Sequence, residues 1–448
     1  MKKIISIILA ICMIAILAAA CAGDPPQVAD TTPAVADPTP TPPADQPGDA
    51  PTPTPEAPTA VPEPVAPEIQ VLDRNRDMSF PGIIAIVTNT VDQNEEEFRS
   101  AEMLIERFGA ENVIHMTWPV YFATEPEMMI SVMNELASNP DVGAIIINQA
   151  VVNTNAAIDA ARATRASLIG HDNLFIVSCS FAEDPRDVYA RVDLSLDINN
   201  PGVPEFFVAQ AVAMGADAII HYSFPRHLAV PMLSARRDGI QRYAEAAGLR
   251  FECLPTPDPM EEGGMAASQL FVSQDVGRQV ERLRALGYEN IVFFTTNCGQ
   301  QIPLLNQVLA YGMMYVQPCC PSPFHAFPAA LGLAETQAEA FGRFSTAEIL
   351  AETSRVIAER GMTGRLSNWA LPGSVAYTTV GFLYAVEWLN DRVSQEIGVV
   401  DKDVLLALFG EFAEDVLGVR DYPVLTNLSV GGDTFSTLFV IIMPYFLY

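Results

Sequence analysis

The chain has 448 residues, and its 54 acidic and 25 basic residues give a formal net charge of −29 at pH 7. This balance excludes nucleic acid as a partner, because phosphate binding requires clustered Lys and Arg, and the only Lys beyond residue 3 is Lys402. We interpret the acidic excess as a soluble surface. The length beyond residue 80 allows one large domain or two ordinary ones.

The N-terminus has the features of a secretory signal. Two lysines precede a short apolar run, and small residues then lead to Cys21. This segment resembles a bacterial lipobox, in which the signal peptide (1–20) is removed and the thiol of Cys21 carries lipid such as palmitate. It departs from that pattern because Leu17 lies one residue too early and Ala18 takes the usual place of a larger residue. An uncleaved membrane anchor is the alternative, and both place the chain at the extracytoplasmic face of the cell membrane.

Residues 21–75 are predicted to form a disordered linker. Between residues 22 and 70 there are fifteen Pro and eight acidic residues, without any Lys or Arg. Pro fixes the backbone and removes hydrogen-bond donors, so this composition favours extended, solvated chain rather than a core. We interpret the segment as a spacer that holds a folded body away from the lipid.

Beyond residue 80 the chain repeats a short apolar run, a polar tip and a helical pattern. Apolar runs interrupted by helical patterns predict a parallel sheet that helices cover on both faces. The right-handed crossover rule places the strand tips on one edge, where ligands of open α/β sheets bind. Eight runs are predicted as strands: 82–87, 113–116, 142–147, 174–177, 216–220, 250–254, 291–294 and 313–316.

These runs predict two sheets of about four strand–helix units each. The pattern changes after residue 330, and three helices are then predicted before the last apolar stretches. They lie near 346–360, 375–395 and 401–416. The apolar stretches around 422–429 and 435–447 are too short to span a bilayer as helices, and we interpret them as a buried strand or hairpin.

Two similar α/β lobes behind a lipidated Cys resemble the type I periplasmic solute-binding proteins. Residues 287–297, followed by a helix over 301–311, are similar to the strand with a Thr/Asn tip in that superfamily. The segment 88–90, Thr-Asn-Thr, resembles its first ligand-contacting loop. The whole chain also resembles an uncharacterised family of clostridial-type lipoproteins that carries only an unknown-function label.

This resemblance implies an α/β fold of two doubly wound parallel-sheet lobes, with an interlobe cleft and a hinge. Lobe 1 is predicted to comprise 80–197 with part of 346–448, and lobe 2 to comprise 198–330 with part of 331–375. In the superfamily the chain crosses between the lobes three times. The crossings are predicted here near 195–203, near 325–345 and within 365–375.

Side chains at the predicted strand tips form the candidate ligand site. Amides and hydroxyls there can hydrogen-bond a neutral polar ligand, aromatic rings can stack on a sugar or a base, and Arg226 can bind an anionic group. The alternatives are helix capping for the polar groups, packing for the rings and a surface salt bridge for the arginine. The twelve candidates are Thr88, Asn89, Trp118, Asn148, Gln149, Ser178, Ser180, Tyr222, Ser223, Arg226, Thr296 and Asn297.

No motif of catalysis, cofactor binding or metal binding is found in the sequence. GxSxG, Walker, HExxH and GxGxxG patterns are all missing. The mature chain beyond Cys21 has an odd number of cysteines without CxxC or Cys/His metal spacing, and we interpret them mainly as buried thiols. They are Cys179, Cys253, Cys298, Cys319 and Cys320. A nucleophile or vicinal disulfide at 319–320, near His325, is the alternative, although no orienting partner is visible.

The sequence therefore favours a non-enzymatic, extracytoplasmic solute-binding lipoprotein. It is predicted to capture a small polar ligand, nucleoside-like or sugar-like, between two lobes that close by hinge bending, and to deliver it to an ABC permease. One alternative is a ligand-sensing lipoprotein that signals to a membrane receptor. The other is an extracytoplasmic hydrolase that uses Cys319 or a carboxylate pair.

Overall fold

A computed structural model describes residues 71–91 and 93–448. The predicted signal peptide, the lipidation site Cys21 and the linker up to residue 70 lie outside the described residues. In the part of the chain that is described, none of the helices combines the length and hydrophobicity that crossing a bilayer requires.

Strands and helices alternate over most of the described residues, as the sequence pattern predicts. The strands are β1 (Ile83–Thr88), β2 (Val113–Thr117), β3 (Val142–Asn148), β4 (Phe175–Cys179), β5 (Leu194–Ile198), β6 (Ala218–Ser223), β7 (Arg250–Pro255), β8 (Ile291–Thr295), β9 (Ser367–Trp369), β10 (Val424–Val430), β11 (Asp433–Ile442) and β12 (Tyr445–Leu447).

The helices differ widely in length, from a single turn to more than five turns. They are α1 (Glu95–Phe108), α2 (Pro126–Ser138), α3 (Thr154–Ile169), α4 (Pro185–Tyr189), α5 (Val203–Ala213), α6 (Pro225–Leu228), α7 (Pro231–Ala246), α8 (Gly264–Arg284), α9 (Gln301–Tyr311), α10 (Phe327–Leu331), α11 (Gln337–Arg343), α12 (Thr346–Glu359), α13 (Gly373–Leu389) and α14 (Lys402–Leu417). A short 3₁₀ turn, Cys298–Gln300, precedes α9.

Seven strands form the first sheet, in the order β10-β11-β5-β4-β3-β1-β2. Strands β1 to β5 are parallel to one another, β11 pairs with β5 in parallel, and β10 pairs with β11 as an antiparallel hairpin. Because β1 to β5 are parallel, their carboxyl ends all lie on one edge of this sheet. The α/β fold predicted from the sequence is confirmed by this topology.

Helix α13 packs against the middle strands of the first sheet. It packs against β3, β4 and β5 and against α1 and α14, and nearly all of its residues are buried. A helix that is apolar on every face is expected to lie inside a protein. Gly381 allows its close approach to the sheet, because a Cβ atom there would lie 3.0 Å from Cγ1 of Val177.

The second sheet has the order β7-β6-β8, with all three strands parallel. A separate antiparallel pair, β9 with β12, brings the end of the chain beside the segment that leads into α13. One cluster of buried apolar residues includes Ile86 and Leu196 from the first sheet and Ile219 and Phe294 from the second.

Two details of the predicted strands are wrong. Leu194–Ile198 is strand β5, whereas the sequence pattern assigned this region to a crossing, because Ser195 and Asp197 interrupt the apolar run. The predicted strand 313–316 makes only isolated bridges, Val292 to Met314 and Tyr315 to Leu366, so the second sheet has three strands rather than four.

Candidate functional site

A cavity of about 510 Å³ lies between segments that follow strands of the two sheets. The first sheet contributes Val91 and residues 93–96, which connect β1 to α1. The second contributes Cys298, Gly299 and Ile302, which follow β8. Segments 320–329 and 335–338, between the second sheet and α12, complete the wall. The loops of two α/β layers therefore enclose a common space.

Two adjacent carboxyl groups are buried where the first turn of α1 meets this cavity. Glu96 is 3% exposed and Glu97 is 1% exposed. Burial raises the pKa of Glu96 to about 7, an effect that the nearby His325 and Ser322 oppose. Burial also raises the pKa of Glu97 well above its usual value, and Cys320 and Glu96 add to that rise. Glu96 therefore changes charge near neutral pH at the cavity wall.

Polar groups behind the cavity form a network at the tips of β1 and β3. The Nδ2 of Asn89 donates to Oε1 of Gln149 at 3.1 Å. The Nδ2 of Asn94 donates to Oε1 of Glu97 at 2.7 Å. The indole of Trp118 donates to the carbonyl of Gln149 at 2.9 Å, and its ring packs in the core of the first sheet. The structure thus brings Asn89 and Gln149 together and places the Trp118 ring in packing.

Asn148 and Thr88 end neighbouring strands of the first sheet and bond within it. Asn148 Nδ2 donates to the Ser374 carbonyl at 3.0 Å and to Oγ1 of Thr378 at 2.8 Å, both on α13. Thr88 Oγ1 lies 2.8 Å from Nε2 of His115. Among the described residues, the Oδ1 atoms of Asn148 and Asn89 have no hydrogen-bond partner. Each therefore keeps a free acceptor in the interior.

Two candidate serines lie at the end of β4. Ser178 is buried in the strand, in register with Ile147 of β3 and Ser195 of β5. Ser180 follows the strand with a φ of 51°, and its amide donates to the Leu196 carbonyl at 3.1 Å. Both serines therefore lie at the carboxyl end of β4 in the first sheet.

Two candidates of the second sheet bond to each other, and a third caps a turn. Ser223 Oγ lies 2.8 Å from Oγ1 of Thr296, which also lies 3.3 Å from Nδ1 of His227. Asn297 Oδ1 accepts from the amide of Gly299 at 2.9 Å and so caps the 3₁₀ turn. This contact is the capping role that was considered as the alternative for Asn297.

Tyr222 and Arg226, at the end of β6, each contact a carboxylate. Tyr222 Oη donates to Oδ2 of Asp275 at 2.8 Å, and burial raises its pKa. Arg226 Nε and Nη2 donate to the two oxygens of Asp258 at 2.9 and 2.8 Å. This two-pronged pair is the salt bridge considered as the alternative for Arg226.

Three thiols, Cys298, Cys319 and Cys320, meet beside the cavity, and we call them the thiol triad. Their Sγ atoms all lie within 4.8 Å of one another. Burial raises the pKa of the Cys319 thiol, but hydrogen bonds from the other two thiols and the charge of Arg236 outweigh it, so that the pKa lies well below its usual value. The hydrogen bond with Cys319 raises the pKa of Cys298 well above its usual value.

A third buried carboxyl group, Asp197, stands at the end of β5. It is 2% exposed, and its Oδ1 accepts from the amide of Ile198 at 2.6 Å. Burial raises its pKa to about 8, and Arg236 opposes that rise. Together with the two glutamates of α1, it gives the junction of the two sheets an unusual density of buried acid groups.

A family model described as "Protein of unknown function (DUF3798)" matches residues 83–367, more than half of the chain. The chain belongs to this family. Two uncharacterized proteins of Treponema pallidum (strain Nichols) are similar in sequence. One is 24% identical over 186 residues, covering 39% of this chain and 80% of the relative. The other is 27% identical over 192 residues, covering 41% and 81%.

Solved structures share the fold of this DUF3798 protein. A putative transcriptional regulator from Clostridium difficile 630 is 20% identical, with 83% of this chain and 100% of that chain covered and a TM-score of 0.66. A solute-binding protein of an ABC transporter from Agrobacterium vitis, with bound D-fucose, is 14% identical, with coverage of 71% and 94% and a TM-score of 0.42. The predicted resemblance to an uncharacterised family is confirmed by the family match, and the Clostridium difficile structure shares the fold.

None of the twelve candidate residues of this DUF3798 protein is among the described residues that line the cavity, although several flank it. Asn89 lies two residues before Val91, and Asn297 immediately precedes Cys298. The cavity wall instead includes Glu96 and His325, which the sequence analysis did not select. The sequence signal that could have identified this cavity wall was the Cys pair at 319–320 near His325. Contact of the twelve candidate residues with a ligand stays a prediction.

Proposed function

We propose that the protein binds a small polar solute in the cavity between the two sheets, outside the cytoplasmic membrane. The observation that carries this proposal is the cavity of about 510 Å³ between loops that follow strands of two separate α/β layers. Ligands of open α/β sheets bind outside the carboxyl ends of the strands, and a cavity of a few hundred Å³ is the usual size of a small-molecule site.

The cavity offers polar groups of both kinds. Gln93, Asn94 and Glu96 line it from the first sheet, and His325 and Gln337 line it from the opposite side. Amide groups can donate to and accept from the hydroxyls of a neutral solute without the cost of burying a further charge. This composition supports a sugar-like or nucleoside-like ligand.

The wider role that we propose is delivery of this solute to an ABC permease by a protein tethered through lipid on Cys21. The chain passes between the first sheet and the rest of the fold at 199–217, 370–372 and 443–444. Three such passages near one another are suited to act as a hinge, so that the two lobes, as delimited in the sequence analysis, close over ligand by rotation.

Ala338→Trp is expected to weaken solute binding strongly, because Ala338 lines the cavity in the first turn of α11 and an indole there would occupy part of the space for the solute. For the parent protein, a bound solute at 100 times its Kd adds about 2.7 kcal/mol to the free energy of unfolding. Thermal unfolding against a panel of monosaccharides and nucleosides, with native mass spectrometry of the purified protein, measures this.

Ala358→Trp is the matched control for that experiment. Ala358 is exposed on α12 and is not among the residues that line the cavity, so this variant is expected to keep the full ligand-dependent shift. Equal shifts in both variants would contradict the location of the site. Conversion of a ligand into a product would favour the hydrolase alternative.

A further inference from the structure

The thiol triad has the dimensions of a metal site. The Sγ atom of Cys298 lies 3.2 Å from that of Cys319 and 3.5 Å from that of Cys320, and the last two are 3.9 Å apart. All three thiols are free. Sulfur atoms that bind one tetrahedral ion at ~2.3 Å are separated by about 3.8 Å, so a small adjustment of this triangle accommodates such an ion.

We infer that the thiol triad binds one thiophilic metal ion with a filled d shell, Zn²⁺ or Cu⁺, and leaves one coordination position open to the cavity. Thiolates are preferred ligands of both ions. Binding forms three metal–sulfur bonds and releases the thiol protons to solvent, without a change of oxidation state. The site goes beyond solute capture and is tested separately from it.

The charges around the triad suit a bound cation. Arg236 is 2% exposed, and its Nη1 donates to the Cys319 carbonyl at 3.2 Å. Its guanidinium carbon lies 5.2 Å from the ring centre of Phe294, so the side chain is held in place on both sides. One arginine and one divalent ion together balance three thiolates, which makes the buried site electrically neutral.

The open position faces groups that can complete the coordination. Cys298 and Cys320 line the cavity, and so do His325 and Glu96. Nδ1 of His325 lies 2.9 Å from the Cys320 carbonyl, the type of contact that orients metal-binding histidines and leaves Nε2 for the metal. Glu96 is buried, and its Oε1 has no hydrogen-bond partner in the described part of the chain. This unpartnered acceptor at the cavity wall is the second indication of a bound cation.

Cobalt substitution tests the inference on the full chain, purified without oxygen in detergent. Co²⁺ is expected to bind with one ion per chain and to give the near-ultraviolet absorption of thiolate-to-cobalt charge transfer. Zn²⁺ or Cu⁺ should displace it and bleach that band. Cys298→Ser, Cys319→Ser and Cys320→Ser should each weaken Zn²⁺ binding at least tenfold, whereas Cys253→Ser should leave it unchanged, because Cys253 lies on β7 outside the triad.

A second measurement on the unmutated protein guards against variants that fail to fold. One equivalent of Zn²⁺ is expected to protect the three triad thiols from alkylation, as read by peptide mass spectrometry, while Cys253 stays equally reactive. The inference is overturned if protection does not occur, if the cobalt band persists in the Ser variants, or if oxygen-free protein contains a disulfide within the triad. Solute binding is scored by thermal shift in chelator-treated protein, so that failure of either proposal is seen independently.

Discussion

Replacement of Arg76 by Met is expected to lower the free energy of unfolding by about 3–5 kcal/mol, because it leaves the buried Glu411 without its cationic partner and Glu387 with Arg392 alone. Arg76 Nε donates to Oε1 of Glu387 at 2.7 Å, and its Nη1 and Nη2 donate to the two oxygens of Glu411 at 2.8 and 2.9 Å. The side chains of Glu387 and Glu411 are only 4% and 8% exposed.

Arg74→Met is the matched control. Arg74 lies in the same segment as Arg76 and makes ion pairs with Glu414 and Asp415, but its side chain is 40% exposed. Exposed pairs contribute about 0–1 kcal/mol, so this variant should unfold almost as the parent does. Urea unfolding followed by circular dichroism measures both variants. If Arg74→Met and Arg76→Met lowered the free energy of unfolding by the same small amount, the buried cluster of Arg76, Glu387 and Glu411 would not hold the segment before β1 to helices α13 and α14.

That cluster belongs to a segment that packs against the first sheet. The segment 71–82 connects the predicted linker to β1, and Leu72, Met78 and Phe80 pack against the core of the first sheet. Arg76 therefore fixes the point at which the chain leaves the linker and joins the folded body.

The sequence was sufficient to predict the sheets because their strands are buried on both faces. Strand β3, for example, is a continuous apolar run that ends in Asn148, and helices cover both of its sides. Strand β5 was missed because Ser195 and Asp197 alternate with its apolar residues, and because its neighbour β11 comes from more than 230 residues further along the chain. Local patterns carry no information on such a pairing.

The candidate site was harder to predict for a related reason. The tip of a strand is covered by whichever helix lies next to it, and Asn148 bonds to α13, a helix more than 220 residues away. The thiol triad shows the opposite case. Cys298 follows β8, and Cys319 and Cys320 follow the segment that bridges to β8 through Met314, so these neighbouring tips bring the three thiols together, although their contact was not predicted. The sequence did not show that Glu96, which follows β1 of the first sheet, lines the same cavity as these thiols.

The pH dependence of stability is the second large effect, and it is expected to depend on Glu96. Burial raises the pKa of this carboxyl group from 4.5 to about 7, so the folded protein holds the proton more tightly than the unfolded chain does. The stabilisation is complete below pH 4.5, and it is lost as pH rises to about 7, the folded-state pKa. Since a pKa unit corresponds to ~1.4 kcal/mol, Glu96 accounts for about 3 kcal/mol.

Glu96→Gln isolates this contribution, because every other titrating group is shared with the parent protein. The glutamine carries no charge at any pH, so the variant should gain about 3 kcal/mol relative to the parent between pH 5 and pH 8.5. Glu102→Gln, on the exposed face of the same helix, is the matched control variant. Urea unfolding at pH 5, 7 and 8.5 provides the comparison.

A flat difference for Glu96→Gln would mean that this carboxylate is ionised and well solvated in the folded protein, against its 3% exposure. The predicted slope would instead show that the cavity wall gains a negative charge near neutral pH. A charge that appears there favours cations and hydrogen-bond donors over anions as ligands, and it faces the same space as His325 and two thiols of the triad. The pH profile of ligand binding should therefore follow the same titration as the pH profile of stability.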